Sequence, residues 1–296
     1  MTLIACVVGH PIAHSLSPAI HNAAFAARGI DASYRAVDVA PGDLRRWVSE
    51  ARAGALLGFN VTVPHKEAIV PLLDEVTGDA RIVGAVNTVV PRPQAGMASE
   101  SHRLALSGAN TDTIGFRQSL AEEAHVSLAG QAVLVLGAGG AARAVALVAL
   151  QDRATRLVVA NRHLERAERL LADLSDAVVS TDVRSVALGG DAIELELSRA
   201  SVIVNATSVG LRSDDVPIDE ALIPRGALVV DLVYNPPETA LLRAASRRGA
   251  RTLRGLGMLI HQAAGAFELW TGQRAPIEAM RSAAERAVLQ ASTRAG

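Results

Sequence analysis

The chain has 296 residues, half of them hydrophobic and a fifth charged, and its formal net charge is −1. This composition excludes a disordered or fibrous protein, and a size of about 150 residues per domain predicts two domains. With 29 basic and 30 acidic residues, no excess of positive charge remains for a nucleic-acid backbone, so we expect no nucleic-acid partner. The single cysteine, Cys6, excludes an intrachain disulfide and a cysteine zinc site.

The sequence gives no sign of secretion or membrane insertion. Its first residues lack a basic segment, and its apolar runs are much shorter than the roughly 18 residues that span a bilayer. We therefore expect a cytoplasmic protein without a membrane partner.

Strand-like and helix-like segments alternate along the first part of the chain. The pattern predicts strands over residues 3–8, 33–39, 56–63 and 85–90, and helices over residues 18–28, 42–53 and 66–74. Residues 91–108 break the rhythm and are predicted as a loop, or as a strand followed by an exposed turn. Alternation of this kind predicts an α/β sheet with helices on its faces.

The alternation resumes after residue 112. We predict strands over residues 132–136, 157–160, 202–205 and 228–232, and helices over residues 113–123, 241–248, 258–270 and 277–290, with a further Ala-rich helix after Gly140. The domain boundary is placed near Asp112. Residues 1–112 would form an N-terminal α/β domain and residues 113–255 a second domain, and we expect the helices of residues 256–296 to pack back on the first.

The segment after strand 132–136 has the dinucleotide-turn pattern Gly-x-Gly-x-x-Ala, formed by Gly137, Ala138, Gly139, Gly140, Ala141 and Ala142. Gly137 permits the tight turn, Gly139 lets the backbone approach a pyrophosphate, and Ala142 allows the helix to pack close to the strand. The helix N-terminus supplies N–H groups for phosphates. The pattern predicts a Rossmann-type domain with a bound nucleotide, and its alternative is a tight turn without a ligand.

The next strand ends in Asn161 and Arg162, with Arg166 one helical turn later. NAD-binding proteins usually place a carboxylate here for the ribose hydroxyls, and this chain has none. Arg162 and Arg166 can instead hold a 2′-phosphate, which favours NADP over NAD. The alternative is that both arginines only face solvent at the start of a helix.

Two polar segments near the N-terminus suggest a substrate site. Ser17 precedes Pro18 and is predicted as a helix N-cap, and together with Ser15 it offers two hydroxyls for a carboxylate. Asn60 and Thr62 share one face of a strand. Lys66 follows and is the only lysine among the 29 basic residues. Unlike arginine, lysine can release its proton, so Lys66 is a candidate for proton transfer, the alternative being a positive contact to the substrate.

Taken together, the motifs resemble the shikimate dehydrogenase family over nearly the whole chain. They lie at residues 15–18, 60–66, 84–88, 110–112, 137–141, 161–162, 205–207, 231–236 and 255–262. The resemblance implies a substrate domain and a Rossmann domain with a cleft between them. It also implies the NADPH-dependent reduction of 3-dehydroshikimate to shikimate, on the route to the aromatic amino acids.

The resemblance assigns roles to individual residues. It implies that Lys66 and Asp112 form the catalytic pair and that Ser15 and Ser17 hold the substrate carboxylate. Further substrate contacts are implied at Thr62, Asn87, Tyr234 and Gln262. The turn formed by Gly137, Ala138, Gly139, Gly140 and Ala141 would bind the pyrophosphate, Asn161, Arg162 and Arg166 the adenosine end, and Leu232, Gly255 and Met258 would lie near the nicotinamide.

Some positions depart from the family pattern. His163 stands where a Ser or Thr usually contacts the 2′-phosphate, Ala109 replaces a bulkier residue, and the loop over residues 91–105 is longer than usual. One alternative is therefore a quinate/shikimate dehydrogenase with relaxed substrate use, or with NAD as cofactor. A metabolite-sensing regulator without catalysis is another, which the presence of both Lys66 and Asp112 disfavours. Monomer and homodimer both stay open.

Overall fold

The computed structural model describes residues 2–54, 56–93, 104–211 and 213–295, and it divides into two compact units. The N-terminal unit contains the described residues up to Thr111 together with those from Ile260 onward, and the central unit is Asp112–Leu259. Within the described ranges, no helix is both long and apolar enough to cross a membrane.

Strands and helices alternate in the N-terminal unit. In chain order they are β1 (Leu3–Gly9), α1 (Ser17–Ala27), β2 (Ala32–Asp38), α2 (Leu44–Ala53), β3 (Leu56–Val61), β4 (Glu75–Val76), α3 (Asp79–Val83), β5 (Thr88–Pro93) and β6 (Leu104–Ala109). Short 3-10 turns occur at Pro41–Asp43 and Val70–Leu72.

The sheet of the N-terminal unit has the strand order β2-β1-β3-β5-β6-β4. β1 pairs in parallel with both β2 and β3, and β5 is antiparallel to β3 and β6. The residues of β1 from Ala5 onward are buried, as expected for a strand with parallel neighbours and covered faces. Phe59, Val8 and Leu106 belong to the core on one face. The parallel arrangement brings the carboxyl ends of β1 and β3 to the same edge of the sheet.

Two predictions for this unit need correction. The helix predicted over residues 66–74 is wrong, since the segment forms turns and the short 3-10 turn Val70–Leu72. Pro71 lacks an amide hydrogen and disfavours helical geometry in the residue before it, which prevents a longer helix. The segment predicted as a loop or strand contains β5 and β6, paired from Thr88↔Ala109 to Pro93↔Leu104. The rest of the predicted long loop, residues 94–103, lies outside the described residues.

The central unit continues the alternation. Its elements are α4 (Asp112–Ser119), which runs into a π-helical turn (Leu120–Ala124), β7 (Ala132–Leu136), α5 (Gly140–Gln151), β8 (Arg156–Asn161), α6 (Leu164–Asp173), β9 (Asp182–Ala187), α7 (Asp191–Arg199), β10 (Val202–Asn205), β11 (Leu228–Asp231), α8 (Ala240–Arg247) and β12 (Arg251–Arg254). Two helices follow, α9 (Leu256–Thr271) and α10 (Ile277–Ala295), and α10 packs against α1.

The sheet of the central unit confirms the predicted Rossmann-type fold. Its strand order is β12-β11-β10-β7-β8-β9, and the neighbours pair in parallel. Counted from β7 as the first strand and read from β9, this is the doubly wound order 3-2-1-4-5-6. The chain reverses direction across the sheet between β7 and β10. In open sheets of this kind, ligands bind at the carboxyl ends of the strands beside that reversal.

Candidate functional site

The loop from β1 to α1 holds the two candidate carboxylate-binding serines. Helix α1 begins at Ser17, its N-cap is Leu16, and no described side chain caps it with a conventional N-cap hydrogen bond. The amide of Ser17 donates instead to Ser15 Oγ at 3.3 Å. The prediction that Ser17 is the N-cap is therefore wrong. The helix starts one residue earlier than expected, and Ser15 supplies the acceptor that satisfies the first exposed amide.

Thr62 and Lys66 lie directly beyond β3. The amide of Thr62 donates to the carbonyl of Val8 at 2.9 Å, which extends the pairing with β1 by one residue. The carbonyl of Lys66 accepts from the amide of Val86 at 2.8 Å. This bond anchors the half-buried lysine at the point where the chain approaches β5. Position 66 is thus fixed by backbone pairing rather than by the predicted helix.

A cluster of buried neutral side chains surrounds Asn87. Its Oδ1 accepts the amide of Thr111 at 2.8 Å and the hydroxyl of Thr88 at 2.9 Å. Its Nδ2 donates to Thr111 Oγ1 at 3.0 Å and to Gln262 Oε1 at 3.4 Å. Two of the predicted substrate residues, Asn87 and Gln262, are therefore in contact, although 175 positions separate them along the chain.

Asp112 follows Thr111 directly and is the first residue of α4. Its side chain is buried, with a relative exposure of 3%. The hydrogen bond from the Thr111 amide to Asn87 Oδ1 fixes the backbone immediately before Asp112. Asp112 and Tyr234 belong to the central unit, whereas the other predicted catalytic and substrate-binding residues belong to the N-terminal unit.

The turn after β7 has the backbone geometry that a dinucleotide requires. Gly137 has a φ of +107°, and a Cβ there would lie 3.0 Å from the carbonyl oxygen of Ala206, so only glycine fits without strain. Gly139 has an extended backbone with open space beside its Cα, and it precedes the first turn of α5. Ala142 is fully buried against the sheet. The open side of Gly139 and the N-terminal amides of α5 fit a pyrophosphate.

The end of β8 is formed by Asn161. Its Nδ2 donates to the carbonyl of His163 at 2.9 Å and shapes the turn into α6. Arg162 and Arg166 are exposed on this turn and on the first turn of α6. His163 Nδ1 lies 3.9 Å from a carboxylate oxygen of Glu165. Two exposed guanidinium groups at the end of the second strand fit a phosphate better than a ribose diol.

The ends of β10 and β11 are joined by a buried network that the sequence did not reveal. Asp231 accepts from Asn205 Nδ2 at 2.9 Å, from the hydroxyl of Thr239 at 2.6 Å and from the amide of Val233 at 3.1 Å. Burial raises the pKa of Asp231, and these hydrogen bonds oppose the shift. The network fixes the backbone that leads from β11 into Leu232 and Tyr234.

Two of the residues predicted near the nicotinamide, Leu232 and Gly255, approach each other just beyond this strand end. A Cβ at Gly255 would lie 2.5 Å from the carbonyl oxygen of Leu232, so glycine permits the close approach of these two segments. Met258 is buried in the first turns of α9, and Leu232 is half-buried. Packing around Tyr234 raises the pKa of its phenol to about 12, so the phenol remains a hydrogen-bond donor at neutral pH.

Sequence reasoning missed several polar residues of the site. Asn60 was noted as a polar strand residue without a role, and no role was assigned to Thr88, Thr111, Asn205 or Asp231. Thr88 is the first residue of β5, the others lie at or near the carboxyl ends of strands, and each is buried. The usable signal was a polar residue at the end of an otherwise apolar strand.

Three known families match successive parts of the chain. Residues 7–89 match the family described as Shikimate dehydrogenase substrate binding domain. Residues 119–221 match Shikimate / quinate 5-dehydrogenase, and residues 255–285 match the Shikimate 5'-dehydrogenase C-terminal domain. The order of the matches follows the order of the motifs along the chain.

Individual relatives are similar over almost their full length. The shikimate dehydrogenase (NADP(+)) of Methanopyrus kandleri is 45% identical over 95% of this chain and 94% of its own. That of Symbiobacterium thermophilum is 46% identical over 94% and 92%. A crystal structure of the shikimate 5-dehydrogenase of Thermus thermophilus in complex with NADP(H) and shikimate is 39% identical, with a TM-score of 0.81, and covers 97% of this chain and 100% of that one.

Proposed function

Because this chain belongs to the shikimate dehydrogenase family, we propose that it catalyses the reversible, NADPH-dependent reduction of 3-dehydroshikimate to shikimate in the biosynthesis of aromatic amino acids. The observation that carries the proposal is the pairing of two site types in one chain. One is a dinucleotide turn at the first strand of a 3-2-1-4-5-6 sheet. The other is a cluster of buried neutral hydrogen-bonding groups, in the unit that also holds the only lysine.

NADP is held by the central unit in this proposal. The turn of residues 137–141 and the first amides of α5 bind the pyrophosphate, and Asn161, Arg162 and Arg166 bind the adenosine end with its 2′-phosphate. Leu232, Gly255 and Met258 line the nicotinamide end. When bound, NADP supplies the chemistry of hydride transfer.

The substrate contacts come mainly from the N-terminal unit. Ser15 and Ser17 donate hydroxyl hydrogen bonds to the carboxylate, while Thr62, Asn87 and Gln262 bind the ring hydroxyls together with Tyr234 of the central unit. These are uncharged groups with fixed donors and acceptors, which suit a polyhydroxylated acid. A site built to hydrogen-bond hydroxyl groups rejects analogues that lack them, because its own buried polar groups are then left unpaired.

Lys66 and Asp112 are the proposed catalytic pair. Reduction of the ketone places negative charge on its oxygen, and this oxygen must receive a proton as the hydride arrives at carbon. The Lys66 ammonium stabilises the developing charge and can release a proton, which an arginine cannot do. Asp112 accepts a hydrogen bond from the amine in this proposal and so orients it. In the reverse direction, the same pair accepts the hydroxyl proton of shikimate.

A steady-state matrix of shikimate and quinate against NADP and NAD tests the proposal. We expect the highest kcat/KM for shikimate with NADP. A higher kcat/KM for quinate, or for NAD with either substrate, would favour the quinate/shikimate alternative. Binding of shikimate without any turnover would favour a metabolite sensor.

Two further expectations concern the location of the enzyme and its assembly. We expect the enzyme to act in the cytoplasm, where NADPH-dependent biosynthesis takes place, and we expect fractionation of cells to find it there. For the assembly, a monomer and a homodimer are both compatible with the proposal, and sedimentation equilibrium distinguishes them, since the monomer has a mass of 30.8 kDa.

A further inference from the structure

Tyr34 is held in place by side-chain bonds on the edge strand of the N-terminal sheet. β2 lies at the end of the strand order, so among the described residues no strand neighbours one side of its backbone. At Tyr34 the side chain of Asn22 takes the place of that strand. Asn22 Nδ2 donates to the carbonyl of Tyr34 at 2.9 Å, and Asn22 Oδ1 accepts the amide of Tyr34 at 2.8 Å. The two bonds fix the backbone of one residue on an otherwise open edge.

The ring of Tyr34 is enclosed by aromatic side chains. The His21 ring stacks on it with centroids 4.3 Å apart and an interplanar angle of 11°, and the Trp270 ring lies at 6.1 Å. Burial lowers the pKa of His21 to about 3, so the stacked imidazole is neutral at physiological pH. Burial also raises the pKa of Tyr34 well above its ordinary value, which a hydrogen bond with Ser17 opposes only in part. The Tyr34 phenol therefore keeps its proton and acts as a fixed donor.

The Tyr34 hydroxyl is the first donor in a chain of buried hydrogen bonds that all run in the same donor-to-acceptor direction. It donates to Asn60 Oδ1 at 2.7 Å. Because Oδ1 faces the phenol, Asn60 Nδ2 must face the other way, and it donates to Thr88 Oγ1 at 3.1 Å and to the carbonyl of Asn87 at 3.0 Å. Thr88 Oγ1 accepts that bond and donates its own proton to Asn87 Oδ1 at 2.9 Å. Each donor thus fixes the orientation of the next amide or hydroxyl.

The chain ends at the proposed substrate residues. With Oδ1 of Asn87 occupied by Thr88 and by the Thr111 amide, Nδ2 points toward Gln262. The contact from Nδ2 to Gln262 Oε1 is 3.4 Å long, the longest in this chain of bonds, and so the easiest to exchange for a bond to a ligand oxygen.

We propose that Tyr34 and Thr88 are positioning residues that set the orientation of the Asn87 amide, so that Asn87 offers a donor to an oxygen of the substrate. This inference rests on the proposed function. It assigns a part in substrate affinity to two residues that are not among the proposed substrate contacts. It also predicts that the Asn87 donor discriminates between an oxygen at its position and a group unable to accept a hydrogen bond.

The test compares Thr88→Val with Thr88→Ser. Thr88→Val removes the hydroxyl at nearly constant shape, and Thr88→Ser keeps it. We expect Thr88→Val to raise the KM for shikimate about tenfold, the effect of leaving buried groups unpaired, with the KM for NADP unchanged. Because Thr88→Ser keeps the hydroxyl, we expect its KM for shikimate to match that of the unmutated protein. Thr77→Val is the control for removal of a threonine hydroxyl, because the Thr77 hydroxyl bonds to the carbonyl of Gly108 at 3.2 Å, and this carbonyl is not part of the chain of bonds from Tyr34 to Asn87.

Tyr34→Phe provides a second, independent break at the start of the chain of bonds. We expect it to raise the KM for shikimate in the same sense, with kcat changed less than KM. If Tyr34→Phe does not fold, the two Thr88 variants decide. Equal effects of Thr88→Val and Thr88→Ser, or parallel rises of both KM values, would overturn the proposal and indicate a structural role only.

The unmutated protein separates this inference from the proposed function. Calorimetric titration with shikimate measures binding without turnover. Absence of both binding and turnover in the unmutated chain would overturn the proposed function and this inference with it. Normal binding and turnover, together with variants that behave as the unmutated chain does, would overturn the inference alone.

Discussion

The proposed ligand contacts at the strand ends differ between the two units. In the N-terminal unit these groups are buried and neutral, and they bond to one another: Asn60, Asn87, Thr88 and Thr111 are each at most 5% exposed. In the central unit the proposed phosphate contacts are backbone amides around Gly139 and two exposed arginines, Arg162 and Arg166. The proposed substrate contacts thus rely on buried, mutually bonded side chains, and the proposed phosphate contacts on open backbone and exposed charge.

The difference has an energetic consequence. A buried hydrogen-bonded network is sensitive to the loss of any member, because the remaining groups lose their partners in a poorly hydrated interior. Exposed arginines act through charge that water and salt screen. We therefore expect substitutions within the buried network to have effects that do not depend on salt, and those at the arginines to have salt-dependent ones.

The largest effect is expected for Lys66→Arg, which keeps the charge but cannot release a proton. We expect kcat to fall by about 10²–10⁴-fold, the usual contribution of general acid–base catalysis, with a much smaller change in KM. Steady-state kinetics in both directions measures this. A near-normal kcat with only a raised KM would make Lys66 a binding residue and return the proton transfer to Asp112 or to water.

Gly137→Ala tests whether the backbone conformation of the dinucleotide turn tolerates a side chain. The positive φ and the close Ala206 carbonyl should lower the free energy of unfolding by about 1–3 kcal/mol. Denaturant unfolding measures the change. Gly139→Ala is the control: its extended backbone and open surroundings predict unchanged stability, with a raised KM for NADP. An unchanged KM for NADP in Gly139→Ala would contradict the proposal that this turn binds the pyrophosphate.

Arg162→Ala tests the contribution of exposed charge in the central unit to NADP binding. We expect the KM for NADP to rise about tenfold, the lower end for a charge-assisted bond because the residue is exposed, with the KM for NAD little changed. The effect should shrink at high salt. Arg169→Ala is the matched control, an exposed arginine one turn beyond Arg166 on α6. An equal effect of Arg169→Ala would point to the general field of the helix instead of a direct contact.

The smallest effect concerns the start of α1. Ser15→Ala removes the acceptor of the Ser17 amide and should lower the free energy of unfolding by about 1 kcal/mol. It should also raise the KM for shikimate and leave that for NADP unchanged. Ser198→Ala, which loses an exposed bond within α7, serves as the control for removal of a serine hydroxyl. Equal rises of both KM values would indicate a folding defect instead of a lost carboxylate contact.

Strands buried between parallel neighbours were the easiest elements to predict. The bounds of β7 and β10 agree with the prediction to the residue, because continuous apolar runs bounded by polar residues or glycine leave little choice. The edge strands β9 and β12 were missed, since none of the residues of β9 and only one of β12 is fully buried, and each strand carries two charged residues. Helix α7 was missed as well. The segment after Lys66 was predicted as a helix, although Pro71 disfavours one there.

The fold class, the family and the dinucleotide turn could be predicted from the sequence, because they depend on local patterns: apolar runs, glycine spacing and short motifs that bind through the backbone. The contacts between polar side chains could not be predicted in this way, because they depend on the tertiary structure. Tyr34, Asn60, Thr88 and Asn87 lie on three different strands or next to them, and their bonds depend on strand order and register. Gln262 joins them from the other end of the chain. Side-chain hydrogen bonds form over about 3 Å, and no local pattern specifies which distant residues a sheet brings that close.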